Sequence, residues 1–248
     1  MLEIINGTKK YGTKVIFENL NLKFLPGKIY GLVGENGSGK TVIMKCLCGY
    51  TSLTSGGVYQ NKKKLRNKDN FIESAGIIIE NPKFMEDFTL MENLEIIKSF
   101  SDNKKQIDIE YWLNFYDLYK YKDKKYRKLS LGTKQKLYLI QAFMSNPNNL
   151  ILDECFNGLD EKMAIKTREF LKSYIKNDRI IILTSHIKSD IEELYIGKVG
   201  VIDEKNNNII IDWRAPVSSM YYDSNIGDAS YKAPEGTCTG KLLLKRQY

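Results

Sequence analysis

The chain has 248 residues, 42% of them hydrophobic, enough for one ordinary domain with a sizeable core; no apolar run spans a bilayer and no signal peptide opens the chain. The four cysteines, at positions 46, 48, 155 and 238, show no metal-ligand spacing, so reduced thiols in a cytoplasmic enzyme are expected. A net charge of +8 raises contact with nucleic acid or an anionic membrane leaflet, but a solvated lysine-rich surface is the plainer reading.

Residues 1–30 alternate in the manner of antiparallel strands, notably Val15-Ile16-Phe17 and Leu20-Asn21-Leu22-Lys23-Phe24, with Pro26-Gly27 as a turn. Lys28 to Val33 then reads as a short apolar strand, and Val42 to Cys48 as the start of a buried helix. Between them lies Gly34-Glu35-Asn36-Gly37-Ser38-Gly39-Lys40-Thr41. Glycines at 34, 37 and 39 let successive N–H groups turn inward on phosphate oxygens, and the helix behind adds its positive N-terminal end. Lys40 can reach the β and γ phosphates, and Thr41 presents a hydroxyl to magnesium.

Farther along, Thr89 caps a predicted helix with Glu92 three residues on, and Trp112, Leu113, Tyr116 and Leu118 come after it at helix-like spacing. Lysines recur from Lys120 through Lys128, interleaved with Tyr119, Tyr121 and Tyr126. The apolar run Leu150-Ile151-Leu152 ends in Asp153 and Glu154, which sets two carboxylates at the carboxyl edge of a parallel sheet, where α/β proteins bind ligands. Asp153 would hold magnesium through water, and Glu154 would orient or deprotonate the attacking water. A second apolar run, Ile180 to Leu183, leads to Thr184-Ser185-His186, which carries the chain's one histidine. Val199 to Ile202 and Asn208 to Ile211 then predict a hairpin.

Over about residues 1–195 the chain resembles the ATP-binding subunits of ABC transporters. The discriminating segment is Lys128-Leu129-Ser130-Leu131-Gly132-Thr133-Lys134-Gln135, similar to the signature that in this family closes over the γ-phosphate held by a second subunit. The resemblance implies nucleotide contact by Ser130, Leu131, Gly132, Thr133 and Gln135, although a serine before a helix is otherwise an ordinary N-cap. It also implies that Tyr11 stacks on adenine, that Asp160 in Gly158-Leu159-Asp160 crosses the dimer interface, and that His186 senses the γ-phosphate. Cys155 stands where a proline is common. Glu80, in Ile77-Ile78-Ile79-Glu80-Asn81-Pro82, replaces a magnesium-contacting glutamine. Leu131, Thr133 and Glu80 resemble the branch related to bacitracin and lantibiotic exporters rather than nutrient importers. The resemblance further implies an α/β phosphate-loop core, an N-terminal antiparallel β-subdomain and an inserted α-helical subdomain at about 83–135. With ATP and Mg2+, the subunit would act as a homodimer on a separate integral-membrane permease, peripheral on the cytoplasmic face of the membrane.

Beyond Leu194 the sequence resembles a segment that precedes the motor of HelD-like superfamily 1 helicases. The similarity is carried by Ile211 to Ser219, Tyr231 to Gly236 and Leu244 to Tyr248. The expected organisation is therefore a nucleotide-binding domain over 1–194 and a β-rich helicase-derived fragment over 195–248, joined near Glu193-Leu194-Tyr195, with no helicase motor. Two functions compete: an ATPase subunit exporting an antimicrobial peptide or similar amphipathic compound, and an interaction protein whose tail contacts RNA polymerase or nucleic acid.

Overall fold

The computed structural model describes residues 1–33, 37–65, 70–185, 194, 199–203 and 208–212. Strand β1 (Leu2–Tyr11) pairs antiparallel with β2 (Lys14–Phe24), whose Leu20, Leu22 and Phe24 point into the core at alternate positions; Phe17 joins them out of phase because the register shifts between Phe17 and Leu20, where Asn19 turns left-handed at φ +51°. The Gly27 turn, at φ +79°, comes next and donates its N–H to the Arg179 carbonyl at 2.7 Å. Strand β3 (Lys28–Val33) runs to the phosphate loop, and helix α1 (Lys40–Leu47) leaves it. Strands β4 (Ser55–Gln60) and β5 (Lys63–Lys64) return to the first sheet, whose order is β2-β1-β4-β5.

Next come β6 (Ala75–Ile78), α2 (Leu90–Ser99), α3 (Ile109–Phe115), α4 (Leu131–Phe143), β7 (Asn149–Leu152), α5 (Glu161–Tyr174) and β8 (Ile180–Thr184). Strand β3 pairs parallel with β8, β8 with β7, and β7 with β6. All of β7 and β8 is buried, which is why these strands read as continuous apolar runs. Their side chains alternate between two cores. Ile151, Ile180 and Ile182 join Ile43, Met44 and Leu47 of α1 beneath the first sheet. Leu150, Leu152, Ile181 and Leu183 join Leu139 and Phe143 of α4 and Leu171 of α5.

The Thr89–Glu92 pair forms a reciprocal capping box at the start of α2. The helical spacing read through Leu118 is corrected: α3 stops at Phe115 because Asp117 turns left-handed at φ +56°. The Leu118 N–H then bonds the Leu113 carbonyl at 2.7 Å and the Asp117 N–H bonds the Asn114 carbonyl at 3.2 Å, a Schellman stop sealed by buried Leu113 and Leu118.

The predicted hairpin is present as β9 (Val199–Asp203) and β10 (Asn208–Asp212), antiparallel to each other, with β9 parallel to β3. The larger sheet thus reads β10-β9-β3-β8-β7-β6 among the described residues. Residues 213–248, which carry most of the helicase-like similarity, lie outside the described residues.

Candidate nucleotide site

Because β3, β7 and β8 are parallel neighbours, their carboxyl ends open on one edge of the sheet, and the catalytic candidates issue from that edge. Gly37 and Gly39 hold left-handed φ values of +82° and +95°, and Gly39 caps α1. Lys40, the first residue of α1, is buried; desolvation lowers its pKa, against the pull of Asp153 and Glu154 to raise it. The Thr41 hydroxyl donates to Asp153 Oδ2 at 2.7 Å, and the Thr184 hydroxyl donates to Asp153 Oδ1 at 2.6 Å. Thr184 Oγ1 also accepts the Glu154 N–H at 2.9 Å. Glu154 itself sits at φ +49°, a left-handed conformation that costs a non-glycine residue about 1–3 kcal/mol and is found at functional turns. Its Oε2 accepts the Asn157 side-chain amide at 2.6 Å.

This arrangement fits a magnesium nucleotide. Ser38 Oγ is buried with no hydrogen-bond partner among the described residues, and Lys40 is a buried cation two residues on in the chain, so the loop offers a donor and a positive charge for phosphate oxygens. No cluster of three or more His, Cys, Asp or Glu residues among the described residues could enclose a metal by itself. Thr41 and Asp153 instead offer hard oxygen ligands of the kind magnesium shares with substrate phosphates and water. Gly34, Glu35, Asn36 and His186 lie outside the described residues.

Glu80 has a partner that the sequence did not suggest. The residue is left-handed at φ +58° and its Oε1 forms an ion pair with Lys45 Nζ on α1, so a residue of the phosphate-loop helix holds this carboxylate. Tyr11 ends β1 half exposed, with Lys9 Nζ 4.4 Å from its ring centroid.

The signature segment packs on the turn that succeeds Glu154. Ser130 is the N-cap of α4, accepting the Thr133 N–H at 3.3 Å, while Leu131 stands exposed and Thr133 Oγ1 lies 2.9 Å from Ser130 Oγ. A Cβ on Gly132 would come within 2.8 Å of the Gly158 carbonyl oxygen. Gln135, grouped with the nucleotide contacts from the sequence, is buried, and its amide donates to the Cys155 carbonyl at 2.9 Å. Asp160 caps α5 by accepting the Met163 N–H at 2.9 Å and pairs with Lys136 at 3.3 Å; those two partners, the Met163 amide first, lower its pKa. The sequence reading missed Thr184, Asn157 and Lys45. A hydroxyl at the end of an apolar strand was the signal for Thr184, whereas nothing local marked Lys45.

Residues 17–157 match the family model described as ABC transporter, and residues 163–248 match that of the N-terminal domain of DNA helicase IV HelD. The second match opens inside α5, a helix whose Met163, Ala164 and Leu171 are buried in the same core as α4, so its start marks no structural boundary. The chain is 37% identical over 208 residues to the bacitracin transport ATP-binding protein BcrA of Enterococcus faecalis, covering 82% of this chain and 67% of that protein. It is 33% identical over 199 residues to the lantibiotic transport ATP-binding protein SrtF of Streptococcus pyogenes, covering 79% and 86%. Among solved structures, a dimeric ATP-binding cassette bound to ADP and Pi superposes with a TM-score of 0.70 at 21% identity, over 81% of this chain and 94% of that one, a likeness of fold.

Proposed function

The chain belongs to the ABC transporter family as an ATP-hydrolysing subunit, and from that premise we propose that it powers export of an antimicrobial peptide or similar amphipathic compound through a separate permease. The observation that carries the reading is the meeting of Lys40, Thr41, Asp153 and Glu154 at one sheet edge, with Asp153 bonded to Thr41. The substrate class rests on similarity to the bacitracin and lantibiotic proteins.

In the proposed mechanism Lys40, Ser38 and the loop glycines bind the β and γ phosphates, and Tyr11 stacks on adenine. Thr41 and Asp153 would hold magnesium, which supplies positive charge against the phosphates, and Glu80 would reach it only on leaving Lys45. Glu154 takes the proton of the attacking water, its carboxylate steadied by Asn157. Ser130 and Gly132 of a second copy complete the site, Asp160 crosses the interface, and His186 senses the γ-phosphate. The subunit then sits on the cytoplasmic membrane face through its permease; no helix among the described residues is long and apolar enough to cross a membrane.

Lys40→Ala should lose ATP binding, whereas Glu154→Gln should bind ATP, dimerise with it by light scattering, and turn over at least about 100-fold more slowly. Equal ATPase rates in wild type and Glu154→Gln would overturn the assignment. The helicase-like match favours one second reading, an interaction protein whose residues beyond 194 contact RNA polymerase or nucleic acid. Co-purification with polymerase in place of a permease would select it.

A further inference from the structure

We infer that Thr184 is a positioning residue for ATP hydrolysis, its single hydroxyl locking the metal-binding carboxylate of Asp153 to the backbone that carries Glu154. The inference rests on the proposed ATPase chemistry and adds to it a residue from a third element of the fold.

Thr184 is the last residue of β8 and is fully buried. The parallel register pairs Leu152 with Leu183, which sets Thr184 beside Asp153 one step past the paired residues. Its hydroxyl has one proton to give and uses it on Asp153 Oδ1 at 2.6 Å; its oxygen accepts the Glu154 N–H at 2.9 Å. Thr41 holds the other Asp153 oxygen at 2.7 Å. Both carboxylate oxygens are therefore oriented by hydroxyls that arrive from different elements, the phosphate-loop helix and β8. The bond to the Glu154 amide matters as well. Glu154 is left-handed, and an amide pinned within the protein helps keep it there, which directs the side chain from a turn rather than along a strand.

A purely structural hydroxyl would contribute stability alone. Valine has nearly the same shape but can neither donate nor accept, so it would leave Asp153 Oδ1 and the Glu154 N–H without this partner while preserving apolar contact. The geometry then predicts a defect in chemistry and in magnesium use per folded molecule, beyond any loss of stability.

The test compares Thr184→Val, Thr184→Cys and Thr184→Ser with wild type, each at a temperature well below its own melting point. ATPase rate is measured against magnesium, and affinity for a non-hydrolysable ATP analogue by calorimetry with and without magnesium. Thr184→Val should lower kcat by about 10- to 100-fold, the range expected when catalytic groups are misplaced by a fraction of an ångström to 1 Å. It should keep metal-free analogue affinity within about twofold, yet lose most of the gain in affinity that magnesium confers, because the phosphate loop is untouched while Asp153 is not. Thr184→Cys, of similar size with a weak donor, should fall between, and Thr184→Ser should restore both readouts. If the valine variant does not fold, the cysteine variant decides. Wild-type kcat and wild-type magnesium dependence in either hydroxyl-free variant would overturn the inference, as would a serine variant as impaired as valine. Failure of the ATPase reading itself is separable, since it shows as wild-type protein without magnesium-dependent turnover.

Discussion

Replacing Gly132 by alanine sets two local effects against each other. Alanine favours helix over glycine by up to about 1 kcal/mol, so propensity alone predicts a stabilised α4. The added Cβ, however, would stand 2.8 Å from the Gly158 carbonyl oxygen. One side must then give by roughly half an ångström, a degree of overpacking that costs about 1–3 kcal/mol. The turn has little freedom to yield at its ends, where Gln135 holds the Cys155 carbonyl and Lys136 holds Asp160. The displacement falls on Asn157 and Gly158 between them, and Asn157 is bonded to Glu154 Oε2. Subtracting the propensity gain leaves a net loss of roughly 0–2 kcal/mol, a melting temperature lower by at most about 8 °C in a chain of this size. ATPase activity should fall much more, by about tenfold or more, because Glu154 moves with its partner and because Gly132 itself belongs to the surface proposed to complete the site of a second copy. Thermal melts read beside phosphate release at 25 °C decide it. A Gly132→Ala protein that melts above wild type, with turnover intact, would refute the clash and the coupling drawn from it.

Thr89→Ala removes the side-chain half of the capping box, in which Thr89 Oγ1 accepts the Glu92 N–H at 3.1 Å, and should cost about 1 kcal/mol in a urea melt, with Thr89→Ser close to wild type. Lys45→Met frees Glu80; the pair is partly exposed, so stability should change by less than about 1 kcal/mol, while the magnesium concentration for half-maximal ATPase falls as the freed carboxylate adds to the metal site. An unchanged magnesium curve would leave Glu80 out of metal binding. Burial pushes the Cys46 thiol up to about 11 and raises Cys48 as well, so both should resist iodoacetamide at pH 8 in the native protein and react on denaturation, as peptide mapping would show. Above the ordinary thiol value of 9.0 the unfolded chain has lost protons that folded Cys46 retains, so the melting temperature should drop between pH 8 and pH 10.

Much of this protein is encoded locally. The apolar strand Lys28–Val33, the glycine turn behind it and helix α1 are adjacent in sequence, and steric rules with nearest-neighbour hydrogen bonds suffice to shape them. The same holds for the capping box at Thr89 and for the β9–β10 hairpin, where two β-branched runs flank a short polar connection. Motif spacing also singled out Asp153 and Glu154 as candidates, because an apolar strand that ends in carboxylates is legible in a few residues. Other features depend on which distant segments become neighbours. Asp117 ends α3 before the apolar spacing ends, since Leu118 remains buried as the closing contact of the helix stop. Gln135 turns inward because the Cys155 carbonyl, 20 residues away, needs a donor. Lys45 meets Glu80 across 35 residues, and Thr184 meets Asp153 across 31. Period and propensity report which face of an element is apolar; the parallel register of β3, β8 and β7 decides which polar groups meet at its edge. The sequence alone therefore determined the nucleotide chemistry, and tertiary pairing decided how its carboxylates are held.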